Sequence, residues 1–584
     1  MRPPTFTRFL GTALAALLLL APSVTAGAQP RTPTQKKTGA ADATSRDAQR
    51  HPRVSPALDG AIKRGGSPLV DVIITFDRAA ESDRVLERGT GGQTTRGFRR
   101  LPFKAMRVPA HAVAALANRP GVKAVTVDSE IAISSVASRQ TARVPGSTSS
   151  LTANTTFKGA GVRVAVIDSG VQAHGDFYNT LVGQFDFVGG ANGVQTGFND
   201  PLGHGTHVAG MMGADGYFSS NLQYQGTAWH AQIVSLRVLD GDGRGKVSDL
   251  IAALDWILAT GIPQYGIRVA NLSLGKAVEE ELALDPLVHA VERVWDAGVV
   301  VVVSAGNYGI FGHFTVTSPG TSRKVITVGS LTDNNTGTKY GDDYVSSFSS
   351  RGPTAYDHVV KPDLLAPGNR VVGPLAKNSL LGTLLPLSVL CGTSSCSTSS
   401  WRYLRLSGTS MAAGVTSAAV ARMLQKEPGL NPATVKARLM KSARKIEGDA
   451  VIVGAGVLDV DAALRATGWV QGQALSPRIA RSADGTRFYV EDTARLWGSS
   501  EWSAAYLWSD AYLWSDAYLW SDGYLWSDAY LWSDAYLWGD AYLWSDAYLW
   551  SDAYLWSDNV YANSVVVVED PDVPDPDVPD PDQP

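Results

Sequence analysis

The chain has 584 residues, which is more than a single hydrophobic core usually organises, so we expect two or three folded units with tails. Its hydrophobic content of 44% and its formal net charge of -4 are those of an ordinary globular protein. There is no basic excess in the composition, which argues against a nucleic-acid partner, and composition alone indicates no particular function.

The N-terminus has the pattern of a signal peptide. Arg2 and Arg8 precede an apolar run at residues 9–21, and Ala26-Gly27-Ala28 offers a cleavage site, so residues 1–28 are predicted to be removed on export. The run is about 13 residues long and a spanning helix needs roughly 20, so an uncleaved membrane anchor is the less favoured alternative. We expect the protein to be secreted or associated with the cell surface.

A linker and a small folded module follow. Residues 29–55 are rich in Pro, Thr, Ala, Gln and charge and have little to bury, which predicts a linker. Within residues 56–140, strand-like runs at Val70–Phe76 and Val122–Val127 flank a helical spacing at His111–Asn118. This pattern predicts a compact α+β module.

Between residues 141 and 467, wholly apolar strands alternate with amphipathic helices, as in a parallel sheet that is buried on both faces. The predicted strands are Val162–Ile167, Ile233–Leu239, Ile267–Leu274, Val299–Ser304 and Val325–Val328, and the predicted helices are Val247–Ala259 and Pro286–Ala297. Right-handed crossovers would give a doubly wound α/β fold with a mostly parallel sheet. Function is then expected at the carboxyl ends of the strands.

The C-terminal section is a tandem repeat. Residues 505–558 contain nine copies of Ala-Tyr-Leu-Trp-Ser-Asp, with Gly523 and Gly539 as the two departures. Six residues advance a helix by about 600°, so no apolar stripe forms, whereas a strand places Tyr, Trp and Asp on one face. We therefore predict β structure, as hairpins or a solenoid. A linker or small β segment is expected at residues 468–504, and an acidic, Pro-rich, extended tail at 559–584.

Two motifs supply a carboxylate and an imidazole. Asp168 precedes Ser-Gly directly after the first predicted strand of the large unit, a position where a lone Asp is usually a turn or cap. His204 lies in Gly-His-Gly-Thr-His-Val-Ala-Gly, where a helix is predicted from about Thr206. An imidazole is the natural proton acceptor at neutral pH. His204 and His207 as metal ligands are the alternative, although no carboxylate or cysteine stands at ligand spacing.

Two further motifs supply a hydroxyl and an amide. Ser410 lies in Ser-Gly-Thr-Ser-Met-Ala-Ala, directly before a helix predicted to run to about Leu424. A serine there is usually an N-cap. The position also suits a nucleophile, because the helix dipole and the outward N–H favour the charge that develops on an attacked carbonyl. Asn307, in Ser-Ala-Gly-Asn after another strand, could donate a second hydrogen bond to that oxyanion.

Along the chain these four strings follow one another in the order Asp168, His204, Asn307 and Ser410. By them the chain resembles the subtilisin-like (subtilase, S8) serine peptidase family over roughly residues 140–467. The α/β-hydrolases have the order Ser, acid, His and a Gly-x-Ser-x-Gly elbow, which this chain lacks. The resemblance implies a subtilisin-like fold and peptide hydrolysis through an acyl-enzyme. It assigns Ser410 as nucleophile, His204 as general base, Asp168 as orienting carboxylate and Asn307 as oxyanion donor, with no cofactor in the chemistry.

The resemblance also implies a substrate site that binds a protein or peptide as an added β-strand. The residues expected to flank that strand are Ser273, Leu274 and Gly275 on one side and Gly243, Arg244 and Gly245 on the other. Thr317 falls at the family's pocket floor, which favours a small or medium apolar side chain. Arg244 is expected to favour an acidic residue further along the substrate.

The module at residues 56–140 resembles the family's inhibitory propeptide. It would assist folding, occupy the cleft and be cut off between about Ser135 and Thr148, and an unrelated N-terminal domain is the alternative.

The family often carries structural Ca²⁺, for which no ligand set is evident here. Cys391 and Cys396 are the only cysteines and are expected to form one disulfide after export, with two free thiols as the alternative.

Two departures from the family pattern and two rival functions remain at this point. Ala413, Gly414 and Val415 stand where the family commonly has Ser/Thr-Pro-His, and Gly414 is expected to loosen placement of the nucleophile. The segment between Gly368 and Ser410 is longer than usual. The first rival function is a pseudoenzyme that keeps the fold without turnover. The second is an adhesin whose repeat contacts glycans, the cell surface or itself. For the repeat alone, a structural stalk is the alternative.

Overall fold

A computed structural model describes residues 51–63, 68–78, 83–133, 155–333, 340–392, 402–481, 488–499 and 502. They all belong to the compact unit that begins at His51. The predicted signal peptide, most of the predicted linker, the hexapeptide repeats and the acidic tail lie outside the described residues. Within the described ranges, no helix is long and apolar enough to cross a membrane.

The strands and helices of these residues are as follows. The strands are β1 (Leu69–Phe76), β2 (Gln93–Gly97), β3 (Phe103–Pro109), β4 (Val122–Val127), β5 (Glu130–Ile133), β6 (Arg163–Asp168), β7 (Leu181–Asp186), β8 (Val194–Thr196), β9 (Gln232–Arg237), β10 (Arg244–Lys246), β11 (Ile267–Leu272), β12 (Leu274–Gly275), β13 (Val300–Ser304), β14 (Ile326–Thr332), β15 (Tyr344–Val345), β16 (Leu364–Pro367), β17 (Val371–Pro374), β18 (Val389–Cys391), β19 (Arg402–Leu406), β20 (Ile479–Arg481) and β21 (Phe488–Val490). The α-helices are α1 (Asp59–Lys63), α2 (Asp83–Thr90), α3 (Val113–Ala117), α4 (His204–Gly213), α5 (Val247–Trp256), α6 (Ile262–Tyr265), α7 (Pro286–Asp296), α8 (Leu380–Leu384), α9 (Thr409–Lys426), α10 (Pro432–Ser442), α11 (Ala450–Val453), α12 (Val460–Arg465) and α13 (Thr493–Trp497).

The N-terminal module is an antiparallel sheet of four strands in the order β2-β3-β1-β4. Alternate residues of its strands face two different cores, because a strand has a period of two. Val72 and Ile74 pack with Leu116 of α3 inside the module. Ile73 and Phe103 point the other way and belong to the apolar core of the large unit. The module therefore rests on the large unit with one face of its sheet.

The module begins earlier than the sequence predicted. Val54 forms a β-bridge with Val125, and the Ser55 N–H donates to the Val125 carbonyl at 3.0 Å. Residues 51–55 were expected to belong to the linker, and this interpretation is wrong. Their composition is that of a linker, but backbone hydrogen bonds to β4, which composition does not report, hold them on the module.

The large unit is built on a mostly parallel sheet in the order β15-β14-β13-β11-β6-β9-β7-β8, with β16 beside β14. Of the strands described, β8 and β15 pair antiparallel and the others in this sheet pair parallel. Val300–Ser304 is buried along its whole length, as expected for a strand covered by helices on both faces. This is the predicted α/β architecture, and each predicted strand is present within a few residues of its expected bounds.

Residues 468–502 are not a linker. They contain the β20–β21 hairpin and helix α13, and Trp497 and Trp502 are buried against Val360 and Met440 on the outer side of the large unit. The interpretation as a small β segment holds for the hairpin alone. The apolar residues of this segment are too widely spaced to show a strand or helix period, so the sequence pattern did not predict its structure. The segment nevertheless completes an apolar cluster.

Candidate active site

The carboxyl ends of β6, β11 and β13 meet at one edge of the sheet. Ile167 pairs with Leu272, which pairs on its other side with Val303. Residues that follow these positions therefore leave the sheet side by side, at the edge where sites form in such folds. Asp168 is the last residue of β6, and Ser273 follows β11.

Asp168 and His204 form a buried hydrogen-bonded pair. Nδ1 of His204 lies 2.7 Å from Oδ1 of Asp168, which also accepts the Ser169 N–H at 2.7 Å. Because a carboxylate accepts, Nδ1 carries a proton, and in the neutral imidazole Nε2 then has the lone pair. Both side chains are fully buried, and Nε2 has no hydrogen-bond partner among the described residues. An imidazole in this state is ready to accept a proton.

Helix α4 begins at His204, two residues before the predicted start. Gly203 is its N-cap with a φ of 95°, a left-handed conformation that favours glycine. Gly205 lets the helix approach β6, since a Cβ at this position would lie 2.1 Å from the carbonyl oxygen of Gly170. The two glycines beside His204 therefore set the distance between the imidazole and Asp168.

His207 has a different partner from His204. Its Nε2 lies 2.9 Å from the carbonyl oxygen of Leu404. Burial lowers the pKa of His207 to about 3, so this imidazole is neutral at physiological pH. The arrangement does not favour one metal ion held by both histidines. The part of the chain that the structure describes contains no group of three or more His, Cys, Asp or Glu placed to hold a metal.

Ser410 is the second residue of α9. Its Oγ donates to the Ser273 carbonyl at 3.2 Å, and the Ser273 Oγ donates to the Ser410 carbonyl at 2.9 Å. Helices α9 and α4 pack against each other, so Ser410 and His204 lie in the first turns of neighbouring helices. The structure thus pairs Asp168 with His204 and places Ser410 against Ser273, the residue after β11.

The amide of Asn307 is oriented by Thr409, a residue that the sequence did not single out. The N–H and the Oγ1 of Thr409 donate to Asn307 Oδ1 at 3.0 and 3.1 Å. This leaves Nδ2 of Asn307 buried and without a partner among the described residues. A buried donor without a partner costs about 1–3 kcal/mol, so a ligand atom that accepts from it is bound favourably.

A strand of the N-terminal module lies in the groove beside these residues. Strand β5 runs antiparallel between β10 and β12. Ala132 pairs with Arg244 on one side and with Gly275 on the other, and Ile131 pairs with Gly245. Ile131 is fully buried in the core of the large unit. The strands predicted to hold an extended peptide therefore flank an extended segment of this chain.

Comparison with known proteins identifies the family. The model of the Subtilase family matches residues 159–468, which is more than half of the chain. The chain belongs to the subtilase family. It is by family a subtilisin-like serine peptidase, as the four sequence strings predicted.

This subtilase has relatives among characterised proteins. It is 39% identical over 314 residues to Serine protease AprX of Bacillus subtilis (strain 168), a match that covers 52% of this chain and 66% of AprX, just under two thirds. It is 31% identical over 310 residues to Subtilisin DY of Bacillus licheniformis, over 53% of this chain and 92% of that protein. Fervidolysin from Fervidobacterium pennivorans has a similar fold, with a TM-score of 0.54 at 20% identity over 73% of this chain and 65% of that chain. The predicted subtilisin-like fold is confirmed.

Thr317, predicted to form the floor of the specificity pocket, lies beside Gly275 and Gly306. A Cβ on Gly275 would lie 2.7 Å from Thr317 Oγ1, and a Cβ on Gly306 would lie 2.9 Å from Thr317 Cγ2. The hydroxyl and the methyl group of Thr317 therefore occupy the space that side chains at Gly275 and Gly306 would need. Gly243 lies at the other side of the groove, where Ile133 of β5 and Leu202 surround its Cα.

The long segment between Gly368 and Ser410 packs against the loop that precedes His204. The N–H groups of Leu380 and Leu381 donate to the carbonyls of Pro201 and Leu202 at 2.8 and 3.0 Å. The segment thus supports the loop that leads into α4. Cys391, at the end of β18, is disulfide-bonded, whereas Cys396 lies outside the described residues, and their pairing stays a prediction.

Gly414 lies where α9 crosses α4. A Cβ at this position would be 3.1 Å from Met211 Cβ and 3.2 Å from the Val208 carbonyl oxygen. The absence of a side chain thus permits the close approach of the two helices that carry Ser410 and His204. Whether nucleophile placement is looser than in relatives with proline there stays a prediction.

Proposed function

We propose that this subtilase is a secreted serine endopeptidase, made as an autoinhibited zymogen, that cleaves peptide bonds through Ser410, His204 and Asp168. The observation that carries the proposal is the position of β5. It lies as an extended strand between β10 and β12, beside the edge where Ser410 and His204 lie. A peptide substrate would take the same place by strand addition.

The first chemical step transfers the Ser410 proton to His204. In the resting arrangement the hydroxyl donates to the Ser273 carbonyl, so it turns toward Nε2 of His204 as Oγ attacks the scissile carbonyl. Asp168 accepts from Nδ1 and stabilises the imidazolium that forms. The new bond joins Oγ to the substrate carbon, and the carbonyl oxygen becomes an oxyanion.

Asn307 stabilises that oxyanion. Its Nδ2 is a buried donor held in place by the two hydrogen bonds from Thr409 to Oδ1. The backbone N–H of Ser410, in the first turn of α9, is the second donor. Collapse of the intermediate breaks the C–N bond, and His204 gives its proton to the leaving amine. Water then attacks the acyl carbon while His204 takes its proton. His204 returns this proton to Ser410 Oγ as the acyl group leaves.

The groove favours particular side chains. Thr317 beside Gly275 and Gly306 supports a preference for a small or medium apolar residue before the scissile bond. Arg244 Nε lies 3.7 Å from Glu130 Oε1, which supports a preference for an acidic residue at the substrate position that Glu130 occupies. Both partners are about two-fifths exposed, so this pair contributes weakly to binding, roughly 0–1 kcal/mol.

Polar contacts between the module and the large unit support autoinhibition. The buried Arg96 guanidinium lies 2.9 Å from Asp249 Oδ1. Asp128 accepts from the N–H and the Oγ of Ser248 at 2.8 Å each, and it thereby caps the N-terminus of α5. The carboxylate of Asp255 accepts three backbone N–H groups of the module, from Arg99, Arg100 and Leu101. We infer that cleavage between about Ser135 and Thr148, outside the described residues, frees the groove.

Secretion rests on the sequence pattern of residues 1–28. Structural Ca²⁺ stays an expectation from the family, because the described residues offer no cluster of ligands, and the mechanism uses none. The hexapeptide repeat and its contacts with glycans, the cell surface or itself also stay predictions.

Labelling of the nucleophile tests the function. The processed protein is treated with a serine-directed sulfonyl fluoride, the adduct is mapped by mass spectrometry, and cleavage of a peptide library is profiled. We expect one adduct, on Ser410, with loss of turnover. Ser410→Ala should be inactive, whereas Ser417→Ala is the matched control, because Ser417 is a buried serine on the same helix that bonds Asn271. Full turnover by Ser410→Ala, or an adduct elsewhere, would refute the proposal.

A further inference from the structure

Asp200 is a buried carboxylate with four hydrogen-bond donors, and the mechanism above does not use it. Its Oδ1 accepts from Ser169 Oγ and from the Gly203 N–H, both at 2.8 Å. Its Oδ2 accepts from the N–H and the Oγ1 of Thr206 at 2.8 and 2.6 Å. The side chain is fully buried, four residues before His204.

The directions of these hydrogen bonds follow from the rest of the network. Ser169 Oγ accepts the Gly205 N–H at 3.0 Å, and Thr206 Oγ1 accepts the Gln172 N–H at 2.9 Å. A backbone N–H only donates, so the single hydrogen of each hydroxyl is left for Asp200. Burial and the charge of the neighbouring Asp168 raise the pKa of Asp200, and the four donors oppose this. The four donors fit the ionised carboxylate, which only accepts hydrogen bonds.

This carboxylate is connected to both members of the Asp–His pair. Ser169 is the covalent neighbour of Asp168 and donates its N–H to Asp168 Oδ1 at 2.7 Å. Gly203 and Thr206 stand on either side of His204 in the first turn of α4. A carboxylate at a helix N-terminus satisfies unpaired N–H groups and fixes the first turn. One anion therefore holds the base and the residue that orients it.

The charge of this anion acts on the imidazolium as well. Asp168 is hydrogen-bonded to His204, and His207 lies one turn further along the same helix, where burial keeps it neutral. Asp200 is bonded to the residues before and after His204 and is a charged neighbour of Asp168. A second anion beside the position where positive charge develops favours the charged imidazole in a buried site. If Asp200 served only to cap α4, it would not need to be linked to Asp168.

We propose that Asp200 is a positioning residue for the reaction: it holds Asp168 and His204 in place through Ser169 and the first turn of α4, and its negative charge stabilises the imidazolium. This inference rests on the proposed function, since it assigns Asp200 a part in the same acyl transfer.

The test is the pH profile of Asp200→Asn in the processed enzyme. We expect kcat to fall about tenfold or more with KM within about twofold, because the loss affects the transition state and not substrate binding. We also expect the midpoint of the acidic limb of kcat/KM to move down by roughly one pH unit, since without the anion His204 is harder to protonate. Labelling of Ser410 with a sulfonyl fluoride measures the folded fraction.

Ser169→Ala separates the positioning effect of Asp200 from the effect of its charge. It also tests the proposal if Asp200→Asn does not fold. It removes the hydroxyl that joins the two carboxylates but keeps the charge of Asp200. We expect kcat to fall while the acidic midpoint stays within about 0.3 pH unit of wild type. An unchanged kcat for Ser169→Ala overturns the proposal by itself.

Asp285→Asn is the matched control. Asp285 is another buried carboxylate at a helix N-terminus and accepts from the Leu287 N–H at 2.9 Å, but it is not linked to the triad residues. This variant should lower the melting temperature and leave kcat and the acidic midpoint unchanged. Equal shifts in both Asp variants, or a wild-type profile for Asp200→Asn, overturn the proposal. Absence of turnover by the processed wild-type enzyme would instead refute the proposed function.

Discussion

Replacing Thr317 by glycine tests how the floor of the specificity pocket selects the residue before the scissile bond. The hydroxyl and methyl groups of Thr317 lie beside Gly275 and Gly306, because Cβ atoms built on these glycines would lie 2.7 and 2.9 Å from them. Thr317→Gly removes three side-chain heavy atoms from this floor. The pocket should then admit an aromatic side chain to its full depth.

The size of the effect follows from the apolar area that the enlarged pocket buries. Full burial of a Phe side chain is worth about 1.5–3 kcal/mol. If that energy is realised in the transition state, kcat/KM for peptides with Phe before the scissile bond rises roughly 10- to 150-fold relative to matched peptides with Ala. The assay compares two peptides that differ at this one residue. Because both peptides are assayed with the same enzyme preparation, the folded fraction cancels from the ratio of their kcat/KM values.

Thr317→Ser is the control, because it keeps the hydroxyl and removes the methyl group, and an intermediate ratio is expected. If Thr317→Gly left the Phe/Ala ratio at the wild-type value, Thr317 would not form the floor of the pocket. The assignment of the groove wall at Gly275 would then fail with it.

Three further predictions concern the oxyanion, the zymogen and the buried charges. Asn307→Ala removes the Nδ2 donor and should lower kcat about 10²- to 10³-fold with little change in KM, measured by steady-state kinetics; a kcat near wild type would exclude Asn307 as the donor. Arg96→Ala breaks the buried pair with Asp249, which typically costs about 3–5 kcal/mol, so the unprocessed Ser410→Ala chain should bind a peptide inhibitor in the groove at least a hundredfold more tightly. Equal affinity before and after the change would mean that the pair does not hold the module. Burial lowers the pKa of Lys436 from 10.5 to about 7. Between pH 7 and 10.5 the unfolded chain therefore binds more protons than the folded chain, so the free energy of unfolding rises with pH. Lys436→Met in the Ser410→Ala chain should flatten that rise in thermal melts at pH 7 and 9, and an unaltered slope would contradict it.

The sequence predicted the parts of the site that depend on local pattern. Asp168 ends one apolar strand and Asn307 follows another, and glycines precede the helices that begin at His204 and Thr409. The parallel sheet follows from long apolar runs such as Val300–Ser304. These features need no knowledge of distant contacts.

Contacts across the fold could not be predicted in the same way. Thr409 orients Asn307, and Asp200 joins Ser169 to α4, through hydrogen bonds between residues that are distant in the chain or hidden in turns. Strand β5 is four residues long, which is too short to show a period. Residues 468–502 carry buried Trp497, but a few scattered aromatic residues do not reveal what they pack against.

The two-faced sheet of the N-terminal module has a consequence for the direction of activation. Ile73 and Phe103 are buried by the large unit and not by the module itself. If the connection is cut as proposed and the module departs, these apolar side chains are left in water, and a detached domain of this size loses much of its stabilising area. The departed fragment should then unfold and become a substrate of the enzyme that it restrained, so that maturation runs one way.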